Sequence, residues 1–184
     1  MNRVDKVHII DSLFEDTTIS KILSAAVKIG ESIGIDRLLT EDFEAAESLI
    51  FASWVVMAAA EKKYDIELEH RMPGIFVSKS GLHVPTLHAD RQNLDGSPKL
   101  GCEDFDVSAV LYLNQEFNGG ELVFADTGNT VKPSPGRVVI YGGGIEFAHY
   151  VDNVYGGDRW ACPMWFSMKH KQKRSNQYGE KYRG

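Results

Sequence analysis

The chain has 184 residues, of which 43% are hydrophobic and 25% are charged, and its formal net charge at pH 7 is −6. This length suits one domain with a sizeable core, and the composition excludes an intrinsically disordered chain. The acidic balance argues against broad electrostatic binding to nucleic acid or to an anionic membrane, because such binding surfaces are usually basic.

Two helical segments are predicted in the first 65 residues. Residues 16–31 open with cap-type residues and carry an apolar face, formed by Ile19, Ile22, Leu23, Ala26 and Ile29. A second segment runs from about Thr40 to Tyr64, with acidic residues in its first turn and lysines in its last, as the helix dipole favours. Its centre is apolar nearly all round, so we expect this helix to be well buried.

After about residue 70 the pattern changes to short apolar or alternating runs separated by glycine-rich turns. These runs predict strands, and they are GIFVS, VSAVLYL, ELVFA, GRVVIY and WACPMWFSM. Helices followed by strands indicate an antiparallel β sandwich or barrel with helices packed on one side. We therefore predict a single domain over residues 1–184, with helical support over about 1–65, a β core over about 70–170 and a basic tail over 171–184.

The termini and the cysteines favour a cytoplasmic location. The first residues contain no apolar run of the signal-peptide type, and no window approaches the length of a membrane span. Cys102 and Cys162 lack metal-type spacing, so two free thiols are favoured over a disulfide. For the basic tail, a solvated terminus is favoured over contact with an acidic partner.

Candidate metal ligands begin in the segment HVPTLHADRQNLDG, at what reads as the end of a strand. His88 and Asp90 are two residues apart, so on a strand both side chains point to the same face. Such a pair alone is more often a surface pair than a metal site, but His149 in the strand-like run GIEFAHYVDNV supplies a third ligand. Two imidazoles and one carboxylate form the facial triad of non-haem Fe(II) oxygenases, which leaves coordination positions open. His83 is the one serious rival ligand: on an unbroken strand its odd offset from His88 places it on the opposite face, although Pro85 can disturb that alternation.

An arginine and a tyrosine accompany these ligands. Alternation along DRWACPMWFS places Arg159 on one face with the small side chains of Ala161 and Pro163. That arrangement suits a cavity with a guanidinium at one end, which matches bidentate binding of a carboxylate. On the strand DVSAVLYLN, Tyr112 can donate a hydrogen bond to the same carboxylate. The alternatives are a surface arginine in a salt bridge and a half-buried structural tyrosine.

The segment from His88 to Phe166 resembles the catalytic domain of the 2-oxoglutarate and Fe(II)-dependent prolyl hydroxylases. Its motifs YLN..F.GGEL.F, P..GR.V.Y, E..H.V..V..G.R and WF are most similar to the leprecan-like prolyl 3-hydroxylases and the neighbouring prolyl 4-hydroxylases. The resemblance implies a double-stranded β-helix, a cupin-like jelly roll, braced by the N-terminal α-helices. Within it, the turns at Gly119, Gly120 and Gly136 serve backbone geometry rather than chemistry.

The resemblance also implies a role for each candidate residue. His88, Asp90 and His149 would bind Fe(II), Arg159 would pair with the distal carboxylate of 2-oxoglutarate, and Tyr112 would hydrogen-bond to that carboxylate. A sixth residue, Trp165, falls where the family often has an aromatic residue near the metal and the co-substrate, with a plain core tryptophan as the alternative.

The implied activity is hydroxylation of an unactivated C–H bond, with a prolyl residue of a peptide or protein as the favoured substrate and succinate and CO2 as further products. The implied cofactors are Fe(II), 2-oxoglutarate and O2, to which the resemblance adds ascorbate. Asp90 favours hydroxylation over halogenation, because related halogenases carry a small residue there. Trp165 stands where relatives that demethylate nucleic acid bases carry a second arginine, so no nucleic acid partner is expected.

Several alternatives stay open at this point. The substrate can also be a free amino acid or a small metabolite, and a jelly-roll binding protein without catalysis is the alternative from another functional class. The polar, turn-rich segment of residues 91–105 is interpreted with equal weight as a lid over the substrate or as a solvated connector. The sequence does not indicate an oligomeric state.

Overall fold

A computed structural model describes residues 6–169 and places the helices ahead of most strands, as the sequence predicts, although short strands at His8–Ile10 and Ile33–Gly34 precede and interrupt the helices. The helices are α1 (Asp16–Ile29), α2 (Ile35–Glu41) and α3 (Phe43–Tyr64), with one 3-10 turn at Ile145–Phe147. The strands are β1 (His8–Ile10), β2 (Ile33–Gly34), β3 (Leu68–His70), β4 (Gly74–Ser78), β5 (Val107–Tyr112), β6 (Asn118–Gly119), β7 (Leu122–Phe124), β8 (Thr130–Val131), β9 (Val138–Gly142), β10 (His149–Val151), β11 (Val154–Tyr155) and β12 (Arg159–Met168). The predicted basic tail of residues 171–184 lies outside the described residues.

The first helix matches its predicted face. Ile19, Ile22 and Ala26 of α1 are buried, and Leu23 and Ile29 pack partly buried against the same core. The helix ends at Gly30, which adopts a φ of 79° while its amide donates to the Ala26 carbonyl at 2.9 Å. A left-handed residue at this place is a common helix end, and glycine adopts it without steric cost.

The second predicted helix is two helices that meet at Asp42. The Asp42 amide donates to the Leu38 carbonyl and closes α2, and its side chain accepts from the Ala45 amide at 3.0 Å and opens α3. An aspartate that caps the start of a helix has extended backbone angles, so the chain bends at this residue instead of continuing as one helix.

The expectation that this helix is well buried holds for one face of α3 only. Its small and branched residues face the core, whereas Phe43, Phe51 and Trp54 are 50–61% exposed. By length and composition α3 can also cross a membrane, which corrects the expectation that no segment reaches that length. Length and apolarity are weak evidence for a span, because α3 contacts α1, α2 and β3 as the core helix of a folded domain does.

One large antiparallel sheet carries most of the structure. Its strand order is β1, β9, β5, β12, β4 and β2, and β3 pairs with the far end of β12. A three-stranded sheet of β10, β7 and β8 and a two-stranded pair of β11 and β6 complete the described strands. The aromatic contact between Phe124 of β7 and Tyr141 of β9, with ring centroids 5.2 Å apart, joins the small sheet to the large one.

The two faces of β12 have different surroundings, as alternation predicts. Trp160, Cys162, Met164 and Phe166 belong to the hydrophobic core on the helical side. Arg159, Ala161, Pro163 and Trp165 lie on the opposite, inner face, where residues of β5 such as Tyr112 and Val110 stand directly across from Ala161 and Pro163. Both cysteines are free thiols, as predicted, with Cys162 buried and Cys102 half-buried.

Candidate metal centre

Three predicted ligands, His88, Asp90 and His149, converge at one point. Each offers a ligand atom, and these atoms lie within 4.8 Å of one another. His149 is the first residue of β10, and His88 is joined to it by two backbone hydrogen bonds of 3.0 and 2.8 Å. This single bridge replaces the strand that we predicted for His88. The prediction is wrong because turn bonds to Lys79 precede His88 and Pro85 has no amide to donate, so no ladder forms.

Backbone carbonyls orient both imidazoles. The Nδ1 atom of His88 lies 2.9 Å from the Thr86 carbonyl, and Nδ1 of His149 lies 2.9 Å from the Phe147 carbonyl. Since a carbonyl only accepts, Nδ1 carries the proton in each ring and the Nε2 lone pair is left for a metal. Burial lowers the pKa of His149, which favours the neutral imidazole that a metal requires.

The Asp90 carboxylate completes the donor set. Asp90 is buried, and its Oδ2 atom has no hydrogen-bond partner among residues 6–169. A buried, unpartnered carboxylate oxygen is costly unless a cation compensates for it. Two neutral imidazoles and one carboxylate therefore fit Fe(II), and they fit it on one side of the ion with the other side open.

Arg159 and Tyr112 form a second polar group on the inner face. Arg159 is only 4% exposed, its Nε donates to the Gly120 carbonyl at 3.0 Å, and its guanidinium lies 5.0 Å from the centre of the Tyr112 ring. Within the described chain no carboxylate pairs with this guanidinium. Arg159 is thus a buried, unpaired cation rather than the surface salt-bridge arginine of the alternative reading.

The Tyr112 hydroxyl is a donor without a partner. Tyr112 is fully buried, and its Oη makes no hydrogen bond to any described residue. Burial raises the pKa of Tyr112, so the phenol stays protonated. Tyr112 is therefore fully buried rather than half-buried, and a ligand that carries a carboxylate would satisfy both Arg159 and Tyr112. The binding roles of these residues stay predictions.

The glycine turn makes room for Arg159. A Cβ atom on Gly120, which has a φ of 72°, would lie 2.8 Å from the Phe117 ring and 3.0 Å from Cδ of Arg159. A Cβ atom on Gly119 would lie 2.0 Å from the Asn153 carbonyl oxygen. The predicted role of this turn in backbone geometry thus has a direct consequence for the position of the arginine.

Trp165 lies on the inner face in a patch that the sequence did not reveal. Its ring stacks on Phe105 with centroids 5.2 Å apart and meets Phe76 edge-on at 6.3 Å. We call Phe76, Phe105 and Trp165 the aromatic patch. Trp165 is only half-buried and is not a core tryptophan. The signal that could have located Phe76 is the pairing of GIFVS with the start of β12, which places Phe76 opposite Ala161.

The remaining described histidines stay outside the triad. Nε2 of His83 lies 3.1 Å from the Val151 carbonyl, and no described cluster of possible metal ligands includes His83. His70 stacks on Trp54 with ring centroids 4.4 Å apart. His170 lies outside the described residues. The sequence missed Tyr141, whose hydroxyl lies 3.3 Å from His149 Nε2.

Comparison with protein families identifies the core of the chain. Residues 78–167 match the family model described as the 2OG-Fe(II) oxygenase superfamily. Prolyl 3-hydroxylase 2 of Gallus gallus is 26% identical over 173 residues, which are 88% of this chain and 25% of that protein. The 2-oxoglutarate and iron-dependent oxygenase domain-containing protein 3 of Xenopus tropicalis is 30% identical over 121 residues, 55% of this chain and 38% of that protein. This chain spans about a quarter of the length of the prolyl 3-hydroxylase 2 proteins that it matches.

Solved structures agree on the fold. The viral collagen prolyl hydroxylase of Paramecium Bursaria Chlorella virus-1 superposes with a TM-score of 0.70 at 17% identity, over 91% of this chain and 93% of that chain. A prolyl hydroxylase of Trichoplax adhaerens superposes with a TM-score of 0.65 at 16% identity, over 88% of this chain and 83% of that chain. These likenesses confirm the predicted jelly roll with few helices.

The matching family has defined cofactors. Its members use Fe(II), 2-oxoglutarate and O2, and the cluster of His88, Asp90 and His149 can hold the iron. The predicted ascorbate stays a prediction. Residues 78–167 therefore match the 2OG-Fe(II) oxygenase superfamily, and this part of the chain is homologous to a segment of the prolyl 3-hydroxylases.

Proposed function

We propose that this chain hydroxylates a prolyl residue of a peptide or protein and converts 2-oxoglutarate to succinate and CO2 in the same reaction. One observation carries the proposal: an unpaired buried guanidinium, Arg159, shares the interior of the jelly roll with the His88, Asp90 and His149 cluster. A binding module has no need for a buried, unpaired cation in addition to three metal ligands. The site therefore favours an active oxygenase over a jelly roll that only binds.

Each residue of the site would have a distinct role in this reaction. Bound Fe(II), together with 2-oxoglutarate and O2, would supply the oxidising power that inserts one oxygen atom into a C–H bond. His88, Asp90 and His149 would hold the ion from one side through two Nε2 atoms and a carboxylate oxygen. Arg159 and Tyr112 would bind the distal carboxylate of 2-oxoglutarate with charge-assisted hydrogen bonds, which are about twice as strong as neutral ones.

Apolar residues of the inner face support this arrangement by excluding water. Ala161 and Pro163 of β12 stand opposite Tyr112 and Val110 of β5, and Val110 stands opposite Val139 of β9. Charged hydrogen bonds are stronger in such a low-dielectric surrounding than in water. A small dicarboxylate bound between Arg159 and the metal ligands would therefore be held tightly in one orientation.

The preference for a prolyl peptide over a small metabolite rests on the exposed apolar surface. The aromatic patch offers ring faces on which a pyrrolidine ring can pack, and Phe76 is 48% exposed. Five further large apolar side chains between residues 82 and 100 are 41–94% exposed, and they are Leu82, Val84, Leu87, Leu94 and Leu100. Exposed apolar side chains in this number favour a docking surface for another chain. Similarity to prolyl 3-hydroxylase 2 points the same way.

The segment of residues 91–105 is proposed as a lid over that peptide. Its base is tied down by an ion pair of 2.8 Å between Arg91 and Asp106, and Gln92 and Pro98 form a bridge across it. Shortening residues 93–97 should raise the apparent KM for the peptide and leave the anaerobic affinity for Fe(II) nearly unchanged. Loss of iron binding in the shortened variant would contradict the lid role.

The decisive experiment for the proposed function is anaerobic. Fe(II) and then 2-oxoglutarate are added to the pure protein, and the visible metal-to-ligand charge-transfer band of chelated 2-oxoglutarate is recorded, with His149→Ala as the control. We expect a band in the wild type and none in the variant. A folded wild type that binds metal but gives no band would favour the binding module.

The substrate class is tested next. Succinate release and a mass increase of one oxygen atom are measured with proline-containing peptides, with free proline and without substrate. Oxygen insertion into a peptide supports the proposal, whereas turnover of the free amino acid alone would replace it with the small-molecule hydroxylase.

A further inference from the structure

Tyr141 is a buried tyrosine at the metal site for which the reaction above gives no role. It lies on β9 and is 3% exposed, and its Oη lies 3.3 Å from Nε2 of His149. Its ring stands edge-on to the His149 ring with centroids 4.9 Å apart. Burial and then the charge of the nearby Asp90 carboxylate raise the pKa of Tyr141, so the hydroxyl lies near two of the three ligands.

The direction of the hydrogen bond to His149 follows from the backbone. Since His149 Nδ1 donates its proton to the Phe147 carbonyl, Nε2 has only a lone pair. Tyr141 must therefore be the donor, and its hydroxyl occupies the lone pair that a metal ion would need. Burial raises the pKa of Tyr141 well above its ordinary value, so the hydroxyl keeps the proton that it donates.

A metal on Nε2 would oblige the hydroxyl to change its acceptor. The Tyr141 ring cannot turn away, because Phe124 packs edge-on against it at 5.2 Å and Phe147 lies 6.5 Å from it. The acceptor at hand is the Asp90 carboxylate, whose Oδ2 is buried and unpartnered in the described chain. Carboxylates that ligate a metal usually accept a hydrogen bond on the side away from it.

We propose that Tyr141 is a positioning residue for the metal: its hydroxyl donates to His149 Nε2 in the metal-free protein and to the Asp90 carboxylate once a metal is bound. The bond would hold Asp90 as a one-oxygen ligand and keep the opposite side of the ion open. This inference rests on the proposed oxygenase site. It concerns the metal ligands and not the co-substrate, which Arg159 and Tyr112 would bind.

The test uses Tyr141→Phe, which removes one oxygen atom and keeps the ring. Dissociation constants for Mn(II) and Fe(II) are measured anaerobically for the wild type, for Tyr141→Phe, for His149→Ala and for Tyr155→Phe, whose tyrosine is 54% exposed on β11. We expect Tyr141→Phe to weaken metal binding by about tenfold, the lower end of the usual loss for such outer hydrogen bonds. The Tyr155→Phe control should bind metal as the wild type does.

Two further readouts separate positioning from a structural role. The melting temperature of the metal-free Tyr141→Phe protein should fall slightly, because one buried hydrogen bond to His149 is lost, and its rise on metal addition should be smaller than in the wild type. The charge-transfer band of the Fe(II) and 2-oxoglutarate complex should move to lower energy, because a carboxylate that has lost a hydrogen bond donates more electron density to the metal. A structural defect alone would lower the melting temperature equally with and without metal and leave the band where it is.

The outcomes are distinct. Unchanged metal affinity and an unchanged band in Tyr141→Phe, with His149→Ala unable to bind, would overturn this inference and leave the proposed function standing. If the wild type itself binds no metal, the proposed function fails first. If Tyr141→Phe does not fold, the hydroxyl is needed for folding itself. The inference that it only positions the metal ligands then fails.

Discussion

The unpaired charge of Arg159 leads to an unusual pair of expectations for Arg159→Met. The guanidinium is 4% exposed and has no carboxylate partner in residues 6–169, so burying it without 2-oxoglutarate is unfavourable. Methionine has a similar length, is apolar and can fill the same space. The variant should therefore be as stable as the wild type when 2-oxoglutarate is absent, although it gives up the bond from Nε to the Gly120 carbonyl.

The loss of co-substrate binding should be large. A hydrogen bond to a charged group contributes about 1.5–3 kcal/mol, so losing a bidentate pair removes about 3 kcal/mol or more. Since about 1.4 kcal/mol corresponds to a factor of ten, 2-oxoglutarate should bind at least about 100-fold more weakly. At a concentration of about 100 times Kd the co-substrate stabilises the wild type by about 2.7 kcal/mol. For a chain of this size that raises the melting temperature by about 5–10 °C.

Thermal unfolding with saturating Mn(II), with and without 2-oxoglutarate, measures both effects in one assay. The wild type should gain the full shift, and Arg159→Met should gain almost none while its starting melting temperature is unchanged or higher. Arg37→Met is the matched control, because Arg37 lies exposed on α2 and pairs with Glu31 and Glu41. A variant that keeps its 2-oxoglutarate shift, or that unfolds well before the wild type without it, would refute the reasoning.

Three further predictions test the site and its surroundings. Tyr112→Phe should weaken 2-oxoglutarate binding about tenfold or more, because one hydrogen bond to a charged group contributes about 1.5–3 kcal/mol, and it should leave Mn(II) affinity unchanged by calorimetric titration. Burial raises the pKa of the Cys162 thiol, so iodoacetamide should modify only Cys102 in the native protein, and equal labelling of both by mass spectrometry would contradict the burial. In Gly143→Ala the new Cβ would lie 1.8 Å from the Phe105 carbonyl oxygen, so we expect a loss of about 1–3 kcal/mol in a denaturant titration, and an unchanged midpoint would contradict that close contact.

The sequence predicted those parts of the fold that have a periodic pattern. Alternation along β12 assigned its two faces correctly, because one face meets the apolar core and the other meets the interior with Arg159. The glycine-rich turn motifs located the ends of the strands, because the backbone geometry of a turn depends on the residues within it. Where a capping side chain competes with helix continuation the pattern gives no warning, and Asp42 divides a segment that reads as one helix.

The convergence of His88, Asp90 and His149 was predictable because these residue types form a rare set, and their role as metal ligands stays a prediction. Two histidines and an aspartate with a downstream arginine form a set that few other functions require, and the strand context mattered less. The strand expected at His88 is absent, yet its two hydrogen bonds to the His149 backbone bring the imidazoles together all the same. One bridge at the right place is enough to position a ligand.

Tyr141 shows where sequence reasoning fails, because its role depends on a contact between strands that are distant in the sequence. A tyrosine in the run GRVVIY has the pattern of a core strand residue, and its ring is indeed packed among Phe124 and Phe147. Its proposed role depends on the contact of its hydroxyl with His149 Nε2. That contact depends on how β9 and β10 approach each other in space. Side chains whose role depends on contact between distant strands have no local signature, so the ligands of a metal are easier to predict than the residues that hold those ligands in place.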